Sequence, residues 1–437
     1  MTSTGEIWRN WGRTEKAKPI RVERPRTASA VQRAVVAAAG SGIPIKAVGA
    51  SHSFSGIAAP AGVLLELDDL TGLIDVDERE RLATFSAGTR LRDIPRLLAR
   101  HGLAMENLGD IDSQSIAGAI STGTHGTGAA FRGLAAQVAG ATLVTGTGEI
   151  MRVDAGSNPE LLPAVALSLG ALGILVDVTV RCVPAFDLAA VEKPERLDDV
   201  LDTLDERVAR ADHFEFYWFP HTETALTKTN TRMPSGAARR PLPPVKRWLD
   251  DTVVSNGLFR VTCGLGSAVP AVTPTVNRLA DKLTGNREFT DASHLVFTTK
   301  RTVRFAEMEY ALPAEHVAAA LREVKELIDR SGWTVSFPVE VRFAASDDLW
   351  MSTATGRETG YIAVHRYARE SPAEYFRAVE AIMRGLAGRP HWGKMHWRDA
   401  ESLRESYPRF DDFAAVRDRL DPARLFRNAY LDRVLGP

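Results

Sequence analysis

The stretch Ile43–Ser55, IPIKAVGASHSFS, decides how the rest of the chain is read. Ile43, Ile45 and Ala47 alternate with smaller or polar positions, the period of a short half-buried strand. That strand runs straight into Gly49-Ala50-Ser51-His52-Ser53, a loop almost without bulk. Such a loop lets the backbone come close to a ligand. Its successive N–H groups can converge on one concavity, which is how a protein with few cations holds a pyrophosphate. His52 is the only large reactive side chain there. A polar turn with an incidental histidine has the same local signature.

Working outward, Thr27-Ala28-Ser29 can cap a helix over 30–39, which Gly40 and Gly42 end. Val63–Leu67 reads as a strand, Arg81–Ala87 as another, and Leu91–His101 as a helix. The second informative stretch is Asn107–Gly128, NLGDIDSQSIAGAISTGTHGTG. Serine and threonine hydroxyls beside glycine amides suit a phosphate-bearing ligand approached by backbone. Ile116, Ala117, Ala119 and Ile120 argue against a merely flexible glycine loop. GxGxxG after a strand is missing, which excludes the dinucleotide fingerprint and NAD with it. GxxxxGK[ST] is missing too. A third run of small residues, Leu169–Ile174, leads into a strand over 175–180.

At 437 residues the chain is too long for one ordinary core, so two domains are expected. Lys and Arg number 54 against 55 Asp and Glu, which leaves no basic field for nucleic acid. Cys182 and Cys263 form no CxxC and no disulfide framework, and are read as packed thiols in a reducing compartment. The polar start MTSTGEIWRNWGR predicts no secretory leader, and no apolar run reaches membrane-spanning length. The expected setting is cytoplasmic, or loosely membrane-associated.

After Pro184 glycine thins out and aromatic residues enter, as in His213–Phe219, HFEFYWF. Pro234–Pro244 reads as an exposed excursion. Ala314, Val317, Leu321, Val324 and Leu327 recur at helical spacing within 313–331. The stretch Pro338–Phe343 alternates strictly, so Val339, Val341 and Phe343 share one strand face and Glu340 and Arg342 the other. On pattern alone that pair is a solvent-exposed ion pair or a site.

The loop Gly49–Ser55, the stretch Asn107–Gly128, the pair around Glu340 and the segment His391-Trp392-Gly393-Lys394 occur in this order. Together they resemble the aldonolactone oxidoreductases of the vanillyl-alcohol-oxidase flavoprotein class, with alditol oxidases as close relatives. The resemblance implies an α+β fold: a PCMH-type FAD-binding domain of two α/β subdomains, and a cap on a large antiparallel sheet. The FAD-binding domain would span residues 1–183 and the cap 184–411, with the tail 412–437 returning to the first.

Carried over residue by residue, the resemblance sets Gly49, Ala50, Ser51, His52, Ser53 and Phe54 against the FAD pyrophosphate. The second stretch adds Ser115, Gly118, Thr122, Gly123, Thr124 and His125, and Ile174 would line the flavin or adenine region. His52 matches a histidine that many relatives bond covalently to flavin. His125 would contact flavin or pin the loop. Lys394, supported by His391, would sit as a cation near flavin N1 and C2=O. Glu340 and Arg342 would hold substrate, with Asp110 and Tyr367 beside them. Alditol oxidases have serine and threonine where this chain has Asp110 and Tyr367, and Gly109-Asp110-Ile111-Asp112 is similar to actinobacterial gulonolactone dehydrogenases.

The implied reaction is hydride transfer from a carbinol carbon of a sugar-derived 1,4-lactone to flavin N5. Oxygen, a cytochrome or a quinone would take the electrons onward. No metal and no nucleic acid is expected. The alternatives are an alditol oxidase and, from another class, a non-catalytic flavin-binding protein.

Overall fold

The computed structural model describes residues 3–4, 6–234, 236–243, 273–275, 277, 285–299 and 301–437. Near the start of the chain Arg21–Glu23, Val63–Glu66 and Ile45–Val48 run parallel, with Ser3–Thr4 antiparallel at the edge. The helix Ala28–Gly40 makes the crossover. Thr27 caps it by accepting from the Ala30 N–H, and Val31, Ala34, Val35 and Ala38 form its buried stripe. The strand Ile45–Val48 begins two residues later than the alternation suggested, and it is not half-buried. Lys46 is as enclosed as Ile45 and Val48. Parallel strands are covered on both faces, so period-two burial fails there.

A second, antiparallel sheet runs Ile150–Asp154, Val138–Val144, Ile174–Pro184, Leu82–Ser86, Leu73–Asp77. Residues 91–101, expected as one helix, are a short helix Ile94–Leu98 between two 3-10 turns. Pro95 lacks an N–H and fits only a first helical turn, so the α-helix starts there. The two sheets share one apolar core. The C-terminal helices Phe410–Leu420 and Ala429–Leu435 add Phe410, Phe413, Leu431 and Leu435 to it, and the chain already joins that core at Leu403 and Tyr407. Asn428 pins the tail by donating to the carbonyls of Gly56, Ile57 and Ala59.

The third sheet has eight antiparallel strands in the order Arg287–Ala292, Asp187–Arg196, Thr224–Arg232, His213–Trp218, Val339–Ala344, Thr359–Tyr367, Phe305–Pro313, Arg389–Pro390. Its two faces differ in kind. Phe214, Phe216, Val339, Val341, Phe343 and Met308 pack against the helices Val317–Ser331 and Ala373–Gly385. Each such side chain contributes about 1.5–3 kcal/mol on burial. The other face carries Glu215, Glu307, Glu309, Glu340 and Arg342, and it is buried as well. The glycine-rich stretch after Asn107 covers it: Gly128 N–H donates to the Phe343 carbonyl and Thr127 Oγ1 to the Phe214 carbonyl.

The excursion 234–244 is exposed at most of its described positions, although Leu242 is buried. Ser235, Pro244 and Cys263 lie outside the described residues. Cys182 is buried, and burial pushes its thiol up to about 11, so it stays protonated and packed. Among the described residues no helix is long and apolar enough to cross a membrane.

Candidate active site

The loop after Ile45–Val48 opens a cleft of about 850 Å³, including its mouth. Gly49, Ala50, Ser51, His52, Ser53, Ser115, Gly118, Thr122 and Ile174 all line it. Ser51 sits at φ +57°, and its carbonyl accepts from Trp11 N–H while its Oγ accepts from Trp8 Nε1. A serine in that region costs about 1–3 kcal/mol and persists only where surroundings impose it. This turned backbone and its small side chains line the cleft, a surface that a phosphate can approach closely. A Cβ on Gly49 would lie 2.3 Å from Ser115 Oγ, so this glycine lets the two loops meet. The residues therefore fit a dinucleotide held by backbone and small side chains.

Four expected cofactor contacts stand outside the cleft wall. Phe54 packs edge-on to Trp11 and stacks on Phe305. Gly123 makes a turn at φ +77°, where its absent side chain matters for backbone geometry. Thr124 Oγ1 accepts from Gln114 Nε2 at 3.0 Å. His125 turns the other way, toward the third sheet.

His52 stacks on Trp11 and has its Nε2 2.7 Å from Ser113 Oγ. Burial lowers its pKa to about 4, with Lys394 and Arg90 adding to the effect, so the ring is neutral near pH 7. Its loop is clamped to the His391–Lys394 segment: Phe54 N–H donates to the Gly393 carbonyl and Ser55 Oγ to that of Trp392.

Beyond the cleft, strand alternation gathers a buried charged cluster. Arg342 reaches Asp110 at 2.6 Å and Glu215 at 2.9 Å, and it pairs with Glu340. Arg301 also pairs with Asp110 and lies 3.7 Å from Glu340. Lys228 reaches Glu215 at 3.1 Å. Three carboxylates thus meet three cations, and the pair Glu340–Arg342 is no surface ornament. Burial works to raise the Asp110 carboxyl, but Arg342 and Arg301 outweigh it and hold it well below the usual range. Glu340 moves the other way: burial raises it, Arg342 opposes, and Asp110 raises it further. Two neighbouring carboxyls are thereby pushed apart in acidity.

A second cluster lies on the strand Phe305–Pro313, where Glu307 and Glu309 share a face. Lys394 Nζ lies 2.5 Å from Glu307 and 4.0 Å from Glu309. His125 Nε2 is 3.1 Å from Glu309, its Nδ1 2.9 Å from the Gly126 carbonyl, and His391 accepts from Gly393 N–H. Burial raises the Glu307 carboxyl, yet Lys394 and His365 carry it down to about 2. Burial lowers the His391 imidazole to about 4. His125, Glu309 and His391 are close enough to share an ion, as are Asp110, Glu215 and Glu340, but Lys394 and the two arginines already supply positive charge to these carboxylates. Tyr367 joins neither cluster and packs with Phe54, Phe305 and Phe337.

Residues 178–434 match the family model described as D-arabinono-1,4-lactone oxidase, and residues 19–154 match an FAD binding domain. The chain belongs to the D-arabinono-1,4-lactone oxidase family. It is 43% identical over 431 residues, 99% of each chain, to an L-gulono-1,4-lactone dehydrogenase of Mycobacterium tuberculosis. An L-gulonolactone oxidase of Bos taurus is 33% identical over 98% of each chain. An alditol oxidase of a Streptomyces species is 31% identical over 98% of each. The fold is that of cholesterol oxidase from Brevibacterium sterolicum, at TM-score 0.83 and 19% identity over 99% of this chain and 97% of that one. The family's two-part architecture therefore holds here: an FAD-binding domain and a second part on a large antiparallel sheet.

Several site residues went unread in the sequence. Glu307 and Glu309 sit in FAEMEYALP with the same alternation that marked Glu340 and Arg342, so a signal was there. Glu215 stands alone among aromatics in HFEFYW. Ser113 lies within Asn107–Gly128 but was not singled out there, and Lys228, Arg301 and Trp11 come from segments with no pattern of their own.

Proposed function

We propose that this protein oxidises a carbinol of a sugar-derived 1,4-lactone, of the L-gulono- or D-arabinono-1,4-lactone type, with FAD as hydride acceptor. The single observation behind this reading is the enclosed Asp110–Arg342–Glu340 cluster on the face of the third sheet that the stretch Asn107–Gly128 covers. FAD, when bound, supplies the redox chemistry. In this reading Glu340 accepts a hydrogen bond from the reacting hydroxyl, and its raised pKa suits it to hold that proton. Arg342 keeps Glu340 oriented and donates to substrate oxygen. Lys394, steadied by Glu307, places positive charge beside the cleft where negative charge develops. The boundary near residue 183 fits the same division of labour.

Alditol oxidation is the second reading, supported by the similarity to the Streptomyces relative. Asp110 weighs against it, because Arg301 and Arg342 occupy it on two sides. Turnover of a panel of aldono-1,4-lactones and alditols, with oxygen and with an artificial acceptor, separates the readings. One lactone should be preferred at least tenfold over any alditol. Preference for xylitol or sorbitol would install the second reading, and silence across the panel would leave a flavin-binding protein.

We further propose that His52 bonds covalently to the flavin 8α-methyl carbon. A neutral imidazole keeps a nucleophilic lone pair, and its place on the cleft wall supports this role. Acid-denatured protein should keep its yellow colour in the pellet, and His52→Ala should lose it to the supernatant. Full release from the unaltered protein would refute the bond.

A further inference from the structure

Residues 8–17 lie outside both matched family models, which cover 19–154 and 178–434, yet they hold the His52 loop in place. Trp8–Arg9 pairs antiparallel with Lys16–Ala17 to make a short hairpin. From it Trp8 Nε1 donates to Ser51 Oγ at 3.0 Å, and Trp11 N–H donates to the Ser51 carbonyl at 2.7 Å. Asn10 Nδ2 donates to the Ser53 carbonyl and Thr14 Oγ1 to that of Phe54, each at 2.8 Å. One hairpin therefore fixes the backbone on both sides of His52. It also meets the imidazole itself. Trp11 packs edge-on to Phe54 and Phe305, at interplanar angles of 90° and 72°, and these contacts set the plane of its indole. The indole and His52 rings stack with centroids 5.4 Å apart and planes 23° apart. From the second cradle stretch, Ser113 Oγ lies 2.7 Å from His52 Nε2. Trp11 thus fixes the plane of the imidazole, and Ser113 fixes its rotation within that plane.

We propose that Trp11 and Ser113 are positioning residues for formation of the bond between His52 and the flavin 8α-carbon. The proposal rests on the covalent reading above. With its proton on Nε2, the ring donates to Ser113 Oγ, and Nδ1 keeps the lone pair that makes the C–N bond. Bond formation breaks one C–H of the methyl group and the imidazole N–H. The electron pair released enters the flavin, and dioxygen removes it, together with the two protons, as hydrogen peroxide. Trp11 keeps the ring from tilting away from the carbon. Ser113 holds the tautomer and stands where the departing proton must go. A misplacement of about 1 Å at such a centre costs on the order of a hundredfold in rate.

The test separates bound flavin from bonded flavin. Full-length protein is purified with FAD present, and total bound flavin and acid-precipitable flavin are measured, at isolation and during incubation with FAD in air. The unaltered protein should hold nearly all of its bound flavin covalently. Trp11→Leu fills the space without an aromatic face, and Ser113→Ala removes the hydroxyl. Both should bind FAD at the usual stoichiometry, yet their covalent fraction at isolation should fall at least about tenfold and then rise slowly in air. Trp11→Phe and Ser113→Thr, which restore a ring and a hydroxyl, should recover most of it. A full covalent fraction in Trp11→Leu or Ser113→Ala would strike that residue from the proposal and leave the bond itself standing. Loss of bound FAD in step with covalent flavin would overturn the positioning role and make these residues packing of the cradle. No acid-precipitable flavin in the unaltered protein would overturn the covalent reading, and the positioning role with it.

Discussion

The loop Gly49–Ser53 and the strand Val339–Ala344 both carry candidate site residues, and they do it by different means. In the loop, side chains are small and the backbone does the holding: Ser51 is turned to φ +57° and Gly49 has no room for a Cβ. In the strand, the backbone is ordinary ladder and the side chains do the holding, with Arg342 engaging three carboxylates. A backbone cradle reads shape and phosphate charge, whereas a fork of guanidinium and carboxylates reads individual hydroxyls. Damage to the loop should therefore appear as lost flavin, and damage to the strand as lost turnover with flavin retained.

In the loop, the sharpest break is expected from Gly49→Ala. Its Cβ would lie 2.3 Å from Ser115 Oγ, so that hydroxyl must leave its place capping the Gly118 N–H, where the two cradle loops meet. The purified variant should carry less than roughly a tenth of the usual FAD, since overpacking by one methyl costs about 1–3 kcal/mol. Full loading, read from the flavin-to-protein absorbance ratio, would erase the distinction between loop and strand. Glu340→Gln should lower kcat/KM about a hundredfold at unchanged FAD content, the size of losing a positioned proton acceptor. Lys394→Met should slow flavin reduction by about tenfold to a hundredfold and leave FAD binding nearly intact. If it lost flavin instead, Lys394 would belong with the cradle.

How legible each region was follows from the same difference. The loop announced itself because close backbone approach demands small residues, and small residues are visible in a sequence. Its finer geometry was not: only the fold shows that, after the turn at Gly123, His125 reaches Glu309 on the third sheet. The pair Glu340–Arg342 was legible as two charges on one strand face. Nothing in that pattern distinguished exposure from burial, because burial comes from the loops that cover the sheet. Arg301 and Lys228 were illegible for the same reason, since cross-strand and cross-loop pairing assigns their partners. Lys46 was hidden because a parallel strand is enclosed on both sides.

Lys46 supplies a test that leaves the charged cluster untouched. Its ammonium donates to the carbonyls of Gly170 and Phe426, and burial lowers its pKa from 10.5 to about 7. Between those values the unfolded chain holds a proton that the folded chain has released. Stability should therefore rise with pH across that window, by at most about 1.4 kcal/mol per unit. Lys46→Met should flatten the rise, measured as urea midpoints at several pH values. A variant that kept the same slope would assign it to other groups.

The central claim is tested most directly by anaerobic stopped-flow reduction of the flavin by L-gulono-1,4-lactone, comparing the unaltered protein with Arg342→Lys at matched FAD content. Lysine keeps the charge but not the planar fork that joins Asp110, Glu215 and Glu340. The account predicts rapid bleaching in the unaltered protein and a rate at least about a hundredfold lower in the variant. Equal rates in the two proteins would contradict it and place the substrate away from the Asp110–Arg342–Glu340 cluster.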